Sequence, residues 1–297
     1  MDMIDGTVRT LHPLTDAQVD AFHRDGFVIV PGFLDQEELS PLAEACAADP
    51  SIGGRLRAVA DSDGHAQEVV AWTEYSNTYL GKVPFLARMV DNATALLGSP
   101  SYHWHSKLSM KRPHAPGRWD WHQDYPFWHD EGCLWPDMLT CSVAVDHIDE
   151  DNGCMKLVQG SHRLGRLNHA RFGKAVSVDQ ERLALILDRL PVVPMTMKPG
   201  DACFFHANVL HASGPNRSDR NRTILHCSYN TIANTPFLAE GQVHHSYRPF
   251  AVLPDTLLQD HDYAAIFDGH LFNQDTQPVL NGGKTHDYGY TLVNPGT

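Results

Sequence analysis

The stretch from Trp119 to Asp130 holds the residues best suited to chemistry in this chain. Within it, His122 and Asp124 are separated by one residue, a spacing that puts two side chains on the same face of an extended segment. An imidazole and a carboxylate on one face can share a metal ion, but two ligands are too few for a firm site. His211 is the candidate third ligand. Two histidines and one carboxylate form the facial triad that binds non-haem Fe(II) and leaves coordination positions open.

Arg222 follows His211 after eleven residues and adds a fixed positive charge to this set. Its planar guanidinium group can bind a carboxylate through two parallel hydrogen bonds, which a lysine cannot do. The combination of a facial triad with a downstream arginine therefore predicts an iron site next to a carboxylate-binding site.

Composition and charge restrict the class of protein. The chain has 297 residues, of which 42% are hydrophobic and 20% charged, and a formal net charge of −13. This acidic balance disfavours nucleic acid and anionic membranes as partners and leaves a small-molecule substrate as the expected partner. No apolar run reaches membrane-spanning length, and no signal peptide is recognisable, so we expect a cytoplasmic protein. The six cysteines lack Cys-x-x-Cys spacing and are expected to be reduced thiols.

The first hundred residues carry a mainly helical pattern. Thr15 followed by Gln18 is a capping box, which predicts the start of a helix that Gly26 ends. Asp35 is the expected N-cap of a second helix. The elements predicted here are helices over 15–26, 35–48 and 84–97, a strand over 27–30 and a loop over 49–65.

From residue 101 onwards the pattern changes to short alternating segments separated by turn residues. Such a pattern, preceded by helices, predicts a mainly β protein with flanking helices and a double-stranded β-helix core of the jelly-roll or cupin type. We expect one domain over residues 1–297: a helical N-terminal buttress over about 14–100, the core over about 101–230 and a C-terminal cover of loops and short helices over 231–297. The predicted core elements are strands over 103–111, 139–146, 154–158, 192–197, 202–206 and 223–229, with a helix over 177–190.

With these motifs in place, the chain resembles the phytanoyl-CoA dioxygenase superfamily of Fe(II)- and 2-oxoglutarate-dependent oxygenases. The resemblance covers roughly residues 14–230 and includes His122-Gln-Asp124, the central Gly-Ser-His162 turn, and a distal motif from Lys198 to Arg222. The run from Ser106 through Trp128 and the following histidine is similar to an ectoine-hydroxylase-like branch, although Gln123 stands where that branch usually has a serine. The resemblance therefore implies the reaction class and leaves the substrate open.

The resemblance also implies the cofactors and the role of each site residue. Fe(II) is held by His122, Asp124 and His211, while 2-oxoglutarate and O2 are cosubstrates whose reaction gives succinate and CO2. Arg222 holds the far carboxylate of 2-oxoglutarate together with Ser213, and Thr140 is a further candidate for the same site. Halogenases of this superfamily lack the carboxylate ligand, so Asp124 favours hydroxylation. Desaturation, demethylation and epoxidation use the same iron site and stay open.

The substrate is expected to be a small polar zwitterion resembling ectoine, an amino acid or an aminophosphonate. Trp128 and Tyr125 follow the metal motif and could hold an ammonium group by cation–π attraction, although aromatic crowding is more often core packing. Lys107 and His105 are further candidates for contact with the substrate. Positive charge for a carboxylate or phosphonate could come from Lys107, Lys111, Arg112 and Arg163, or these could be solvated strand-edge charges.

Two further functions remain open at this point. A non-catalytic jelly-roll protein could use the same three ligands structurally or as a sensor. A zinc hydrolase could use them for water activation, but it would leave Arg222 without a role. The oligomeric state is equally open, since the sequence is compatible with a monomer or a homodimer.

Overall fold

Two antiparallel sheets packed against each other form the centre of the protein. In this computed structural model, the described residues are 3–4, 7–48, 52, 57–237 and 246–268. The major sheet has seven strands, in the spatial order β3 (Phe27–Val30), β13 (Ala202–His206), β8 (Met138–Ala144), β15 (Arg222–Thr231), β6 (Ser101–Lys111), β5 (Ala66–Trp72) and β4 (Arg57–Ala60). The minor sheet has the order β12 (Val192–Pro194), β9 (Met155–Val158), β14 (His211–Ser213) and β7 (Trp119–His122). This arrangement is the predicted jelly-roll core.

Helices cover the outer face of the major sheet. They are α1 (Asp16–Asp25), α2 (Gln36–Ala48), α3 (Tyr79–Lys82) and α4 (Ala87–Leu97). Two further helices pack elsewhere: α5 (Tyr125–Asp130) follows the minor-sheet strand β7, and α6 (Gln180–Arg189) packs against residues of the minor sheet such as Val158. The predicted capping box of Thr15 and Gln18 is present, and Gly26 ends α1 at φ 88°, a left-handed conformation that favours glycine. None of the helices among the described residues has both the length and the apolar character needed to cross a membrane.

The strands alternate between two different environments. In β15, Leu225, Cys227 and Tyr229 pack against the helical layer, whereas Ile224 packs between the two sheets. Arg222 and His226 share the inward face with Ile224, because side chains two residues apart point the same way. The interior of the jelly roll therefore combines an apolar cluster with a set of buried polar side chains.

Several predicted boundaries need correction. Residues 49–65, predicted as a loop, contain β4, which pairs with β5 and extends the major sheet beyond β6. The segment predicted as one helix over 84–97 begins with a 3-10 turn at Val83–Phe85, because Pro84 favours the first turn, and α4 follows. The strand predicted over 192–197 ends at Pro194. The hairpin of β10 (His169–Phe172) and β11 (Ala175–Val178) was not predicted, because its short strands carry little periodicity.

The described part of the C-terminal segment packs on the helical layer. Leu257 and Leu258 are buried there, and Leu253 pairs with Leu86. A C-terminal cover over the whole of residues 231–297 stays a prediction, because residues 238–245 and 269–297 lie outside the described residues.

A buried ion network joins the N-terminal helices to this C-terminal segment. The Arg88 guanidinium donates to both carboxylate oxygens of Glu38, at 2.9 and 2.7 Å. The Nε of Arg88 also lies 3.4 Å from Oδ1 of Asp255. Asp255 in turn accepts hydrogen bonds from Thr10 and Leu11. Four separate segments thus depend on one buried arginine.

Candidate active site

The three predicted ligands lie together at one end of the minor sheet. Strands β7 and β14 are antiparallel neighbours, and His211 lies directly opposite His122 with ring centroids 4.2 Å apart. The Nε2 atoms of both histidines are 3.9 Å from Oδ1 of Asp124. One ligand atom from each residue lies within 4.8 Å of the others, so the three could hold a single metal ion.

Both imidazoles are fixed in the orientation that metal binding requires. The Nδ1 of His122 donates to the carbonyl oxygen of Asp120 at 2.7 Å, and that of His211 donates to the carbonyl oxygen of Val209 at 2.9 Å. Each Nε2 lone pair is therefore directed away from the backbone and towards Asp124. Burial is the main factor that lowers the pKa of both side chains, and His122 is shifted further by the neighbouring His211. Both rings are neutral at physiological pH, as metal ligation requires.

Asp124 reaches this position through a turn, which corrects the strand argument made from the sequence. Strand β7 ends at His122, and Asp124 has helical dihedral angles (φ −75°, ψ −37°) as the residue preceding α5. Pro126 favours the start of that helix. The backbone N–H groups of Asp124 and Tyr125 both donate to the carbonyl oxygen of Ala207 at 3.1 Å. The Asp124 carboxylate makes no capping bond, so its oxygens stay available to a metal.

Gln123, between the two ligands, is a clamp that the sequence analysis missed. It is fully buried, and its side-chain amide donates to the carbonyl oxygens of Gly165 and Asn208 and accepts from the N–H of Leu167. Its backbone N–H donates to Nε2 of His169 at 3.0 Å. The longer side chain reaches three backbone groups on two segments, which a serine is too short to do. No pattern in the sequence links the β10 histidine to the metal motif.

A cavity extends from the triad to Arg222. The residues lining it include Lys107, Ser109, Trp119, Phe205, Ser213 and His226 as well as His122, His211 and Arg222. Its free volume is about 30 Å³, the space of one water molecule. Lys107 forms part of its wall, with Nζ lying 5.7 Å from the centroid of the Trp119 ring.

The burial and the hydrogen bonds of Arg222 indicate whether this cavity fits a carboxylate. The side chain is 1% exposed, and burial lowers its pKa to about 10. Its Nη1 has one long contact, 3.4 Å to Oγ of Ser109. Its Nε and Nη2 have no hydrogen-bond partner among the described residues. Buried charged donors without acceptors are costly, and a bound carboxylate would satisfy both at once.

The other residues predicted for the cosubstrate differ in position. Ser213 lines the cavity, and its Oγ accepts a hydrogen bond from Nζ of Lys111 at 2.9 Å. The Thr140 hydroxyl is hydrogen-bonded to the Ser228 hydroxyl at 2.8 Å. Thr140 is not among the residues that line the cavity, so its role stays a prediction. His226, which the sequence analysis missed, does line it. Strand alternation from Arg222 was the signal that could have identified this histidine.

The aromatic residues around the metal motif differ in their distance from His122 and in their burial. Trp119 and Phe127 lie beside His122, with ring centroids 6.1 and 6.3 Å from the imidazole. Trp128 is 4% exposed and belongs with Tyr125 to a buried cluster that also includes Tyr102 and Trp104. The structure therefore gives Tyr125 and Trp128 a packing role, and their contact with a substrate stays a prediction.

His105 and Lys107 both lie on the inward side of β6. The imidazole of His105 contacts the Trp128 ring, with centroids 5.7 Å apart, and only Lys107 is among the residues lining the cavity. Of the four residues predicted to contact the substrate, Lys107 is thus the one next to the candidate metal site.

Five buried histidines and the half-buried His206 make the stability of the protein sensitive to acid. Burial lowers the pKa of His103 to about 3 and those of His169 and His206 to about 4, and it also lowers those of His122, His211 and His226. Because their folded-state pKa values lie below the unfolded value, the unfolded chain binds more protons. Stability is therefore lost as the pH falls below about 6.5.

We expect the variant His206→Gln to lose less stability on acidification than the wild type. Each buried histidine contributes about 1.4 kcal/mol per pH unit between its two pKa values. Between pH 7 and pH 5 the free energy of unfolding of the variant should therefore fall by about 2 kcal/mol less than that of the wild type. In the wild type, the backbone N–H of Asn208 donates to Nδ1 of His206 at 3.0 Å. The side-chain oxygen of glutamine can accept this hydrogen bond in the variant. Denaturant unfolding of the metal-free protein at both pH values checks this, and equal losses for both proteins would contradict it.

Comparison with known proteins adds the family context. The sequence profile of the family described as phytanoyl-CoA dioxygenase matches residues 22–224. The L-proline trans-4-hydroxylase of Streptomyces griseoviridis is 28% identical over 75% of this chain and 89% of its own length. The ectoine dioxygenase of Bordetella bronchiseptica is 29% identical over 75% of this chain and 77% of its own length. The methylphosphonate hydroxylase of Gimesia maris is 30% identical over 79% of this chain and 85% of its own length.

The fold likewise has solved counterparts. The crystal structure of EctD from S. alaskensis in its apoform superposes with a TM-score of 0.64 at 25% identity. The match covers 83% of this chain and 89% of that chain. It therefore includes the jelly-roll core described above.

Proposed function

The chain belongs to the phytanoyl-CoA dioxygenase family, and we propose that it hydroxylates an unactivated C–H bond of a small zwitterionic metabolite. The enzyme is a 2-oxoglutarate-dependent dioxygenase that uses Fe(II) and O2 and forms succinate and CO2. This reaction class takes precedence over the non-catalytic and zinc-hydrolase alternatives, since relatives along most of the chain are named hydroxylases and dioxygenases.

The buried Arg222 is the observation that carries the assignment of the cosubstrate site. A guanidinium with two donors that lack a partner among the described residues lines the same cavity as the two candidate histidine ligands. It matches a ligand with a carboxylate at its far end. 2-Oxoglutarate has this shape. A zinc hydrolase would leave this cation without a role.

We assign each residue a role in binding and orientation. His122, Asp124 and His211 hold the iron, and Arg222 with Ser213 holds the far carboxylate. Bound Fe(II) with 2-oxoglutarate and O2 supplies the oxidising power for C–H hydroxylation. Phe205 and Met155, which also line the cavity, keep water away from that region. Gln123 and His169 hold the peptide between two of the ligands, so that their geometry does not relax.

The substrate class follows from the residues at the iron end of the cavity. The Lys107 ammonium can bind a carboxylate or a phosphonate, and the rings of Trp119 and Phe127 offer apolar faces to the carbon skeleton. An amino group on the substrate can in addition face an aromatic ring, worth about 0.5–2 kcal/mol. The substrates named for the relatives, proline, ectoine and methylphosphonate, are small and polar, and this supports the same class here.

Substrate-stimulated turnover tests the proposal directly. The protein is loaded anaerobically with Fe(II) and 2-oxoglutarate, mixed with one candidate from a panel of cyclic and linear amino acids, ectoine and small phosphonates, and then exposed to air. We expect one of the zwitterions to increase succinate formation and to give an equimolar hydroxylated product. Stimulation by a neutral apolar compound alone would contradict the proposed substrate class, and no succinate under any condition would contradict the reaction class.

Arg222→Lys is expected to weaken 2-oxoglutarate binding without removing the iron. Lysine keeps the charge but loses the planar pair of donors, so the contact to the carboxylate becomes monodentate. A charge-assisted hydrogen bond contributes about 1.5–3 kcal/mol, so the dissociation constant should rise by roughly ten- to a hundredfold. Calorimetric titration of the anaerobic Fe(II) protein measures this change. An unchanged dissociation constant would mean that another cation binds the carboxylate.

We also propose that the enzyme acts in the cytoplasm. All six cysteines are free thiols, and five of them are buried, which suits a reducing compartment.

A further inference from the structure

Two buried cations face each other across neighbouring strands behind the candidate cosubstrate site. Lys111 on β6 is paired directly with Arg222 on β15, and both side chains are almost completely buried. Among the described residues, neither cation has a carboxylate within 4 Å. The acidic groups whose charge reaches them, Asp61 for Lys111 and Asp146 for Arg222, act only at longer range. Burial, and next the nearby Arg222, lower the pKa of Lys111 well below its usual value, so two cations in this position are unfavourable unless an anion accompanies them.

The hydrogen bonds of Lys111 determine the direction of a neighbouring hydroxyl group. Its Nζ donates to the carbonyl oxygens of Gly117 and Gly214 and to Oγ of Ser213. A bound anion favours the charged form of Lys111, in which the ammonium group has three donors and no acceptor, so all three are used. Because Ser213 Oγ accepts from Lys111, its own proton must be directed elsewhere. Ser213 lines the same cavity as Arg222, which gives that proton a place to be donated.

We propose that Lys111 is a positioning residue that makes the Ser213 hydroxyl a donor to the far carboxylate of 2-oxoglutarate. Lys111 also adds a second positive charge behind Arg222. This inference rests on the proposed function, because it assumes that the cavity binds 2-oxoglutarate. It explains why a buried lysine lies next to a buried arginine. It also assigns the preference for a 2-oxo acid with a second carboxylate to Lys111, Ser213 and Arg222 together.

A purely structural role for Lys111 makes a different prediction. The same ammonium group ties the segments at Gly117 and Gly214 together, and its loss would reduce stability whether or not a ligand is present. A structural lysine would therefore affect all 2-oxo acids equally. A lysine that acts through Ser213 affects only those with a far carboxylate.

The experiment compares 2-oxoglutarate with 2-oxopentanoate, which has a methyl group in place of the far carboxylate. Dissociation constants are measured by calorimetry on the anaerobic Fe(II) protein for wild type, Lys111→Met, Ser213→Ala and the double variant. We expect Lys111→Met to weaken 2-oxoglutarate binding by about tenfold or more and to leave 2-oxopentanoate binding within about twofold of wild type. We expect the double variant to match Lys111→Met, because residues that act as a unit are not additive.

Lys82→Met is the matched control. Lys82 is another buried lysine, whose Nζ donates to the carbonyl oxygen of Asp262, away from the candidate active site. Its loss should lower the melting temperature and leave the ratio of the two dissociation constants unchanged.

Each outcome has a distinct meaning. If Lys111→Met weakens both 2-oxo acids equally, or neither, the positioning role is wrong and the proposed function stands. If wild type does not prefer 2-oxoglutarate to 2-oxopentanoate, the assignment of the cosubstrate site itself is wrong. If Lys111→Met does not fold, Ser213→Ala gives the answer, since unchanged 2-oxoglutarate affinity in that variant would overturn the inference.

Discussion

His211→Ala is expected to abolish turnover and to weaken iron binding severely while leaving the fold intact. The alanine removes one of three protein ligands, and His122 and Asp124 alone cannot complete a facial triad. Even changes to groups that merely orient metal ligands cost about ten- to a hundredfold in affinity or activity, so loss of a ligand should cost more. Succinate formation and the amount of iron retained after desalting are the two measurements.

His103→Ala is the matched control for this variant. His103 is a buried histidine of β6 whose ring is bonded to Ser106, and it is not part of the metal-ligand cluster. Its loss should destabilise the protein but leave iron binding unchanged. Turnover near the wild-type rate in His211→Ala would show that the ligand assignment is wrong. Equal loss of iron in both variants would point to unfolding instead.

Arg88→Met is expected to produce the largest loss of stability of any substitution considered in the helical layer. Methionine fills much of the same space but leaves the carboxylates of Glu38 and Asp255 buried without their cation. Breaking a buried ion pair by removing one partner costs about 3–5 kcal/mol. Because the network joins α2, α4 and the segment around Asp255, urea unfolding should show a lower midpoint with a similar slope.

An exposed ion pair provides the control for that measurement. Arg112 donates to Glu68 at 2.9 Å, and its side chain is 52% exposed. Surface pairs contribute about 0–1 kcal/mol, so Arg112→Met should have little effect. A loss in Arg88→Met no greater than that in Arg112→Met would mean that Glu38 and Asp255 are solvated after the substitution.

The sequence by itself determined the fold class and pointed to the three side chains that the structure brings together as a candidate metal site. Alternating strands with Gly- and Asp-rich turns are a local property, and so is the capping box at Thr15, since each depends on neighbours within a few residues. The spacing of His122, Asp124, His211 and Arg222 is likewise readable because the chemistry of the group restricts the residue types. Strand β4 escaped notice because its four residues, which pair with β5, lie in a Gly- and Asp-rich region.

Only the tertiary structure decided how these residues are held and which neighbours they use. Asp124 reaches the histidines through a helical turn fixed by the carbonyl oxygen of Ala207. The sequence predicted the same neighbours, but from the alternation of side chains along an extended segment. The aromatic residues near the metal motif look equivalent in the sequence, yet the ring of Phe127 lies beside His122, whereas Trp128 is buried within an aromatic cluster on which Phe127 packs. The pairing of Lys111 with Arg222 joins positions 111 residues apart. Such contacts arise from strand register and chain reversal, which local patterns do not encode.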